Sequence, residues 1–234
     1  MTAVNPAADR TVAPSTSEEG RVRAVIENVT PQVDCGRYPI KRVLGERVRV
    51  EADVFTDGHD SVAAQLMYRR GDEDGWHGVF MLPLGNDRWQ ASFTVTTLGP
   101  WMYCVRAWVD HFETWRRDLV KRRAAGQDLT VEFLRGAELV EAAAQRARSN
   151  QLEQWAQRLR DAGSSAEARY RAAEDESLHA LMRAHPDPEL IARHPRTLSV
   201  TVDPVRARFS SWYEFFPRST SPDLQRHGTF RDCE

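Results

Sequence analysis

Three features of the sequence predict an α+β protein. Up to residue 111, short segments alternate apolar and polar side chains about every 8 to 14 residues, between turns rich in Gly, Asp and Asn. From residue 112 the apolar spacing changes to about 3.6 residues, the period of an α-helix. Alternation returns at Leu198, Val200 and Val202. Because strands and helices do not alternate along the chain, the pattern favours an immunoglobulin-like β-sandwich with an inserted antiparallel helical bundle.

The β part consists of short strands joined by turns. Strands are predicted at residues 22–26, 48–54, 62–68, 76–82, 89–95 and 101–109. Pro31 closes the first strand because it lacks a backbone donor, and a loop follows at residues 34–39. The last two strands flank the turn Leu98-Gly99-Pro100, and we expect them to pair as a β-hairpin.

The helical part contains four predicted helices. They lie at residues 112–125, 129–147, 152–163 and 164–185. Gly126 is a left-handed C-terminal cap for the first helix, and Asp128 can cap the start of the second. Ser164 and Glu167 have the spacing of a capping box ahead of the fourth. Each helix is amphipathic, so the four are expected to pack as a bundle.

The return to alternation after the helices defines the predicted domains. A strand at residues 198–202 precedes an extended aromatic segment at residues 209–216, and we expect the last strand to complete the sheet. The division predicted is a disordered tail at 1–20, a sandwich at 21–111 and 196–217, a helical bundle at 112–195 and a linker at 218–234.

Composition excludes several classes of partner. The net charge is −2, from 32 basic and 34 acidic residues, so nothing favours nucleic acid or an anionic membrane. No apolar run reaches the roughly 20 residues that span a bilayer, and no secretory signal is recognisable. Cys35, Cys104 and Cys233 are far apart and odd in number, which argues against disulfides and a zinc site. We therefore expect a cytoplasmic protein with reduced thiols.

Residues that could carry chemistry give only weak signals. Asp57, His59 and Asp60 share one loop and could bind a cation, although a role in the turn explains them better. The remaining histidines lack metal-ligand spacing: His77, His111, His179, His185, His194 and His227. We expect His111 to share no site with Asp110 or Glu113, because adjacent side chains diverge.

A second group of weak signals is basic or nucleophilic. One basic run could meet a phosphate or an acidic partner, but a solvated helix face is the favoured interpretation: Arg116, Arg117, Lys121, Arg122 and Arg123. Nucleophile elbows, phosphate-binding glycine loops and HExxH motifs are missing from the sequence. The sequence therefore predicts no catalytic residue, no metal site and no cofactor site in this chain.

Seven tryptophans are many for a chain of 234 residues. Exposed tryptophan on a sandwich can stack against sugar rings. Trp89 and Trp101 follow the core pattern, whereas Trp76 and Trp108 occupy turn or opposite-face positions. Packing is the favoured role for each of them, with Trp76 and Trp108 as the candidates for a sugar-binding surface.

Several motifs, in one order, resemble those of a known family. Residues 26–70 read IENVTPQVDCGRYPIKRVLGERVRVEADVFTDGHDSVAAQLMYRR, and they are followed by PLGNDRW, AWVDHFETWRRDL, GQDL, RARFSSWYEFFPRS and HGTFRD. This series resembles the amino-terminal region of the α-1,4-glucan:maltose-1-phosphate maltosyltransferases, over about residues 21–232. Cys35 departs from the glycine expected before Gly36, a change that is conservative in size.

The resemblance implies a sandwich with an inserted helical bundle, both contributing to a homodimer. It also implies a following (β/α)8 barrel of the α-amylase superfamily. In the family this barrel transfers maltosyl units with retention during α-glucan (glycogen) biosynthesis, through an aspartate nucleophile and a glutamic acid/base. The chain ends about where the first barrel strand is expected, so none of these catalytic residues has a counterpart here.

Two hypotheses follow from these observations. The first is a fragment, the non-catalytic amino-terminal region of such an enzyme, inactive alone, which supports dimerisation and the barrel. Trp212, Phe215 and Phe216 would then form an apolar patch wherever the barrel is absent. The alternative is a free-standing module that binds α-glucan through exposed tryptophans.

Overall fold

The computed structural model describes residues 20–212 and 214–233, and these residues form an α+β fold. The tail predicted at residues 1–20 lies almost wholly outside the described part. The strands are β1 Val25–Thr30, β2 Ile40–Val43, β3 Arg47–Phe55, β4 Val62–Arg70, β5 His77–Phe80, β6 Leu82–Gly85, β7 Arg88–Thr94, β8 Gly99–Val109, β9 Ala192–Arg193 and β10 Leu198–Asp203. The α-helices are α1 His111–Ala124, α2 Thr130–Ala147, α3 Asn150–Arg160, α4 Ala166–Ala173 and α5 Glu176–Ala184.

The strands form two sheets around one core. The first sheet has the order β1-β3-β7-β6, and the second has the order β2-β10-β8-β4-β5, with β9 also paired to β8. All pairs are antiparallel except β2 with β10. Val48 and Val50 of β3 and Leu66 of β4 are fully buried in the same cluster, and Phe93 stacks on Tyr68 with ring centroids 4.6 Å apart. The alternation in the sequence therefore arises from burial of one face of each sheet.

The predicted hairpin of residues 89–95 and 101–109 was wrong. β7 pairs with β3 and β6 in the first sheet, whereas β8 pairs with β4, β9 and β10 in the second. The connection at residues 95–98 thus carries the chain from one sheet to the other. Strands that face each other across a core show the same alternation as strands that pair side by side, so period alone cannot separate the two cases.

Three other strand predictions need correction. The first strand, expected at residues 22–26, is β1 at Val25–Thr30. The strand expected at residues 76–82 is divided between β5 and β6, which belong to different sheets, and the buried Met81 lies between them. β2 was not predicted because it has only 4 residues. β10 completes the second sheet, and no described residue of 209–216 belongs to a strand.

The helices follow the sequence closely, with two exceptions. Gly126 has the expected positive φ, and the Asp128 side chain accepts a hydrogen bond from the Thr130 N–H at 3.0 Å. The predicted fourth helix is two helices, because the Asp175 side chain accepts from the Ser177 N–H and starts α5. The cap of α4 is Ser165, which accepts from the Ala168 N–H, rather than Ser164.

The helices enclose a second cluster of buried side chains. It contains Phe112, Trp115, Leu119, Leu129, Phe133, Ala137, Val140, Ala143, Ala144, Leu152, Trp155, Ala156, Leu159, Ala173 and Leu178. Gly136 lets α2 approach Trp115 of α1, whose indole N–H donates to the Glu132 carbonyl at 2.8 Å. The domain boundaries proposed from the sequence remain a prediction.

The helices are bound to the second sheet where β8 passes into α1. The Asp110 N–H donates to the Ser61 carbonyl, and the Ser61 N–H donates to the Thr114 hydroxyl, both at 2.8 Å. Apolar packing adds to these hydrogen bonds, because Trp108 of β8 packs with Ala63 and Ile191, next to Phe80 and Leu190. The helical part is therefore joined to the second sheet by hydrogen bonds at the start of α1 and by apolar contacts of the segment that follows α5.

Asp110 gives a pH-dependent prediction at this junction. Its carboxylate accepts from the Glu113 N–H at 2.9 Å and caps α1, but burial raises the pKa of Asp110. A carboxyl whose pKa is raised by folding costs stability when ionised. This cost is absent below the ordinary pKa of about 3.9 and complete above the raised value. Asp110→Asn retains an N-cap residue and removes the cost, so we expect this variant to be more stable than the parent at pH 7.

The measurement is urea unfolding of the parent and of Asp110→Asn at pH values from about 3 to 7. The stability difference is expected to grow as the pH rises from about 3 to 7. Asp110→Ala serves as the control, because it removes the charge and the cap together and is expected to be about 1 kcal/mol less stable than Asp110→Asn. A difference that shrinks with rising pH would contradict the assignment.

Candidate functional site

The most exposed apolar part of the described chain follows β10. After Pro204, a 3-10 turn at Val205–Arg208 lies against β2, and Arg208 is ion-paired with Glu46. The next residues leave the sheet. Four aromatic side chains are mostly exposed there: Phe209 at 79%, Trp212 at 91%, Phe215 at 54% and Phe216 at 72%. We call these four residues the aromatic surface.

Few side-chain hydrogen bonds of the described residues hold the aromatic surface in place. The Trp212 indole N–H donates to the Ser210 hydroxyl at 3.1 Å, within the same segment. Large apolar side chains clustered in water are unfavourable, and such patches usually mark a surface that another molecule or domain covers. Trp212, Phe215 and Phe216, where an apolar patch was expected, are thus all exposed, and so is Phe209.

The residues after this segment fold back on themselves. The Arg226 guanidinium binds both oxygens of Asp232, at 2.9 and 2.6 Å, and lowers the pKa of that carboxyl. The Gly228 N–H donates to the Arg218 carbonyl at 3.0 Å, and a Cβ at Gly228 would lie 2.1 Å from the Pro217 carbonyl oxygen. The described part of the predicted linker, residues 218–233, therefore has local structure, and residue 234 lies outside the described part.

The acidic loop singled out from the sequence is a structural turn. The Arg23 guanidinium contacts Asp57 Oδ1 and Asp60 Oδ2, each at 2.8 Å, and lowers the pKa of Asp57. The carbonyl of His59 accepts from Arg117 at 2.5 Å. Both carboxylates are therefore occupied by one cation. Among the residues that the structure describes, no group of three or more His, Cys, Asp or Glu could hold a metal ion.

The helical charges form a network that the sequence showed only in part. Glu113 contacts Arg116 at 2.9 Å and His179 of α5 at 3.2 Å, whereas His111 does not join this group. The i,i+3 spacing of Glu113 and Arg116 was visible in the sequence, but the approach of His179 from α5 was not. The rest of the basic run is also matched by carboxylates, in the pairs Arg117–Asp118, Lys121–Asp118, Arg122–Glu132 and Arg123–Glu167. This run is therefore a neutralised helix surface.

The tryptophans singled out from the sequence differ in how deeply they are buried. Trp101 is buried and Trp89 is half-buried with its indole N–H bound to the Val54 carbonyl at 3.0 Å, as the core pattern predicted. Trp108 is also buried, which agrees with the favoured packing role and removes it as a candidate for a sugar-binding surface. Trp76 is partly exposed and lies under the Arg69 guanidinium at 5.2 Å. Of the two sugar-binding candidates, Trp76 alone is accessible.

The three cysteines are free thiols in the structure. Cys35 is exposed, Cys233 is half-buried, and Cys104 is buried in β8, where burial raises the pKa of its thiol to about 11. Cys104 is therefore unsuited to act as a nucleophile at neutral pH. No helix within the described ranges combines the length and the hydropathy needed to cross a bilayer.

Comparison with known proteins agrees with the motifs. The family model described as "Alpha-1,4-glucan:maltose-1-phosphate maltosyltransferase, domain N/S" matches residues 22–204. Proteins named α-1,4-glucan:maltose-1-phosphate maltosyltransferase are similar to most of the chain. The protein of Chlorobaculum tepidum is 47% identical over 92% of this chain and 32% of its own length. That of Methylacidiphilum infernorum is 39% identical over the same shares, and that of Myxococcus xanthus is 42% identical over 89% and 33%.

The chain spans about a third of the length of these curated relatives. The matched residues include both sheets and all five described α-helices. They end just before the aromatic surface. The chain therefore belongs to the family defined by domain N/S of the α-1,4-glucan:maltose-1-phosphate maltosyltransferases.

Proposed function

We propose that this chain is the non-catalytic amino-terminal region of a maltose-1-phosphate-dependent α-1,4-glucan maltosyltransferase. Its role is to support a homodimer and to hold the catalytic barrel. The observation that carries the proposal is the family match over residues 22–204, together with relatives about three times longer than the part that they share with this chain. A cytoplasmic location is part of the proposal, and the free thiols support it.

We further propose that the fold is an immunoglobulin-like sandwich with an inserted helical bundle. Two mostly antiparallel sheets that share one core support this interpretation. The helices lie between β8 and β9 in the chain, and β9 returns to pair with β8. The bundle therefore begins and ends beside the same strand, as an insertion requires.

The aromatic surface is the proposed contact with the barrel. It follows the last strand and exposes four aromatic side chains within eight residues. Each aromatic side chain can bury roughly 150–250 Å², so covering the four would remove several hundred Å² of apolar surface from water. Burial on that scale is enough to attach one domain to another.

The barrel contact is tested by reconstitution. The chain is co-expressed with the remaining two thirds of the Chlorobaculum tepidum relative, and co-purification is measured. We expect a complex that releases phosphate from maltose 1-phosphate in the presence of glucan, and we expect the chain alone to release none. Trp212→Ser combined with Phe216→Ser should abolish co-purification. Leu82→Ser with Leu84→Ser, a matched exposed apolar pair on β6, should not.

Dimer support is tested by sedimentation velocity of the chain alone, which is expected to be a dimer at micromolar concentration. A monomer at every concentration would refute the dimerisation role. Phosphate release by the isolated chain would refute the non-catalytic role. An aromatic-surface variant that co-purifies as well as the parent would refute the barrel contact.

A further inference from the structure

The outward face of the second sheet carries an unusual set of side chains. In the register of β4, β8 and β9, Met67 lies opposite Cys104, Arg69 opposite Met102, and Arg106 opposite Arg193. We call these six residues the arginine face. No position that shares this face on β4, β5, β8 or β9 is occupied by Asp or Glu.

The opposed arginines are the first unexplained feature. Like charges directly opposite each other on neighbouring strands are destabilising unless an anion lies between them. Neither Arg106 nor Arg193 forms an ion pair with any carboxylate in residues 20–212 and 214–233. Burial, and then Arg193, lowers the pKa of Arg106. Within the described chain the repulsion is therefore unrelieved.

Arg106 is nevertheless held in one orientation. The side-chain oxygen of Gln65, which is only 9% exposed, accepts from Arg106 Nε at 2.8 Å and from Nη2 at 2.5 Å. Gly78 of β5 makes room for Gln65, because a Cβ at Gly78 would lie 2.5 Å from Gln65 Nε2. Nη1 of Arg106 and the whole guanidinium of Arg193 have no hydrogen-bond partner among the described residues. The sheet thus presents one oriented donor, Arg106 Nη1, and a second guanidinium with its donors unused, that of Arg193, to an oxyanion.

The rest of the arginine face consists of Met67, Met102, Cys104 and Arg69. Met67 and Met102 are half-buried, and Arg69 donates to the Met102 sulfur at 3.5 Å while it covers Trp76. Arg, Met and Trp are the residues enriched in the cores of protein interfaces, where Lys, Glu and Asp are depleted. The face is built on a pleated sheet rather than in a cleft, which suits a protein surface better than a small molecule.

We propose that the arginine face is a docking surface for a protein segment that presents carboxylates among apolar side chains. One carboxylate bridges Arg106 Nη1 and the Arg193 guanidinium, and apolar groups cover Met67 and Met102. The positive charge of the face selects an acidic partner. Since its register positions hold no Asp or Glu, no carboxylate within the face competes with the partner for Arg106 and Arg193.

The test is amide NMR on the isotope-labelled 234-residue chain with three probes. These are a synthetic peptide of Glu, Leu and Gly, the same peptide with Gln in place of Glu, and inorganic phosphate. The acidic peptide is expected to shift the resonances of Gln65, Arg106 and Arg193, and the Gln peptide is expected to shift none. Arg193→Gln should weaken binding of the acidic peptide about tenfold or more. Arg49→Gln should leave it unchanged, since Arg49 is an exposed arginine of β3 that lies opposite Ser92.

A stability measurement separates lost binding from misfolding. Arg193→Gln removes the repulsion and is expected to raise the melting temperature of the free chain at low salt, an effect that salt should diminish. The proposal is overturned if the acidic peptide produces no shifts, if Arg193→Gln binds it as tightly as the parent, or if this variant melts at a lower temperature. It is also overturned if phosphate shifts the same resonances at equal affinity, because the site would then bind free oxyanions.

Discussion

Gly136→Ala is expected to destabilise the helical part of the protein by about 2 kcal/mol or more, although alanine is the better helix former by about 1 kcal/mol. A Cβ at this position would lie 2.1 to 2.6 Å from three atoms of the Trp115 ring. Trp115 is 3% exposed, and its indole N–H is bound to the Glu132 carbonyl. The ring therefore cannot move away without loss of that hydrogen bond and of its packing.

Denaturant unfolding followed by circular dichroism measures this effect. Gly75→Ala is the matched control, because a Cβ at Gly75 meets nothing within 4 Å and its φ is not in the left-handed region. The control should be neutral or slightly stabilising, since alanine restricts the unfolded chain. A Gly136→Ala variant as stable as the parent would show that α1 and α2 are not in close contact at Trp115.

Trp108→Ala is expected to cost about 3 to 5 kcal/mol, the range observed when a buried aromatic side chain is removed. Trp108 is 4% exposed and packs with Ala63 and Ile191, and its ring lies edge-on to Phe80 at 6.1 Å. The substitution would leave a cavity between the second sheet and the segment that follows α5. Urea unfolding provides the free energy, and a loss below about 1 kcal/mol would contradict this packing role.

The alternative function, a free-standing α-glucan-binding module, is tested with the parent protein and Trp76→Ala. Glucan titration monitored by tryptophan fluorescence is expected to give no quenching in the parent. Trp76→Ala is the matched comparison, because Trp76 is the accessible one of the two sugar-binding candidates and should unfold within about 1 kcal/mol of the parent. Quenching in the parent that Trp76→Ala abolishes would favour the glucan-binding module.

Elements with a local signal were predicted well. In β3, Val48, Val50, Ala52 and Val54 are all buried, as the alternation predicted. Successive strand residues point to opposite faces of a sheet, so the alternation by itself shows which residues face the core. The helix end at Gly126 was also correct, and Asp128 accepts from the Thr130 N–H as expected, although the N-cap position of α2 is Leu129. Exposure of Trp212, Phe215 and Phe216 was expected because the resemblance implies a barrel that would cover them, whereas exposure of Phe209 was not predicted.

Contacts between distant segments needed the structure. Period 2 showed that β7 and β8 each have an apolar face, but only the tertiary structure decided that those faces meet across a core in different sheets. Burial of Trp108 depends on Ile191, 83 positions away, and the opposed Arg106 and Arg193 depend on β9, which has only 2 residues. Such a strand has no periodicity of its own and exists because β8 offers it hydrogen bonds.

The α+β class, most helices and strands, and the family could be predicted from the sequence alone, because these depend on local periodicity, on caps and on motifs in one order along this chain. The tertiary structure alone decided which strands pair, which tryptophans are buried and which charges meet. The physical reason is that each of these outcomes is a choice between partners far apart in the chain. Such a choice depends on the free energy of the whole packing arrangement rather than on any short segment.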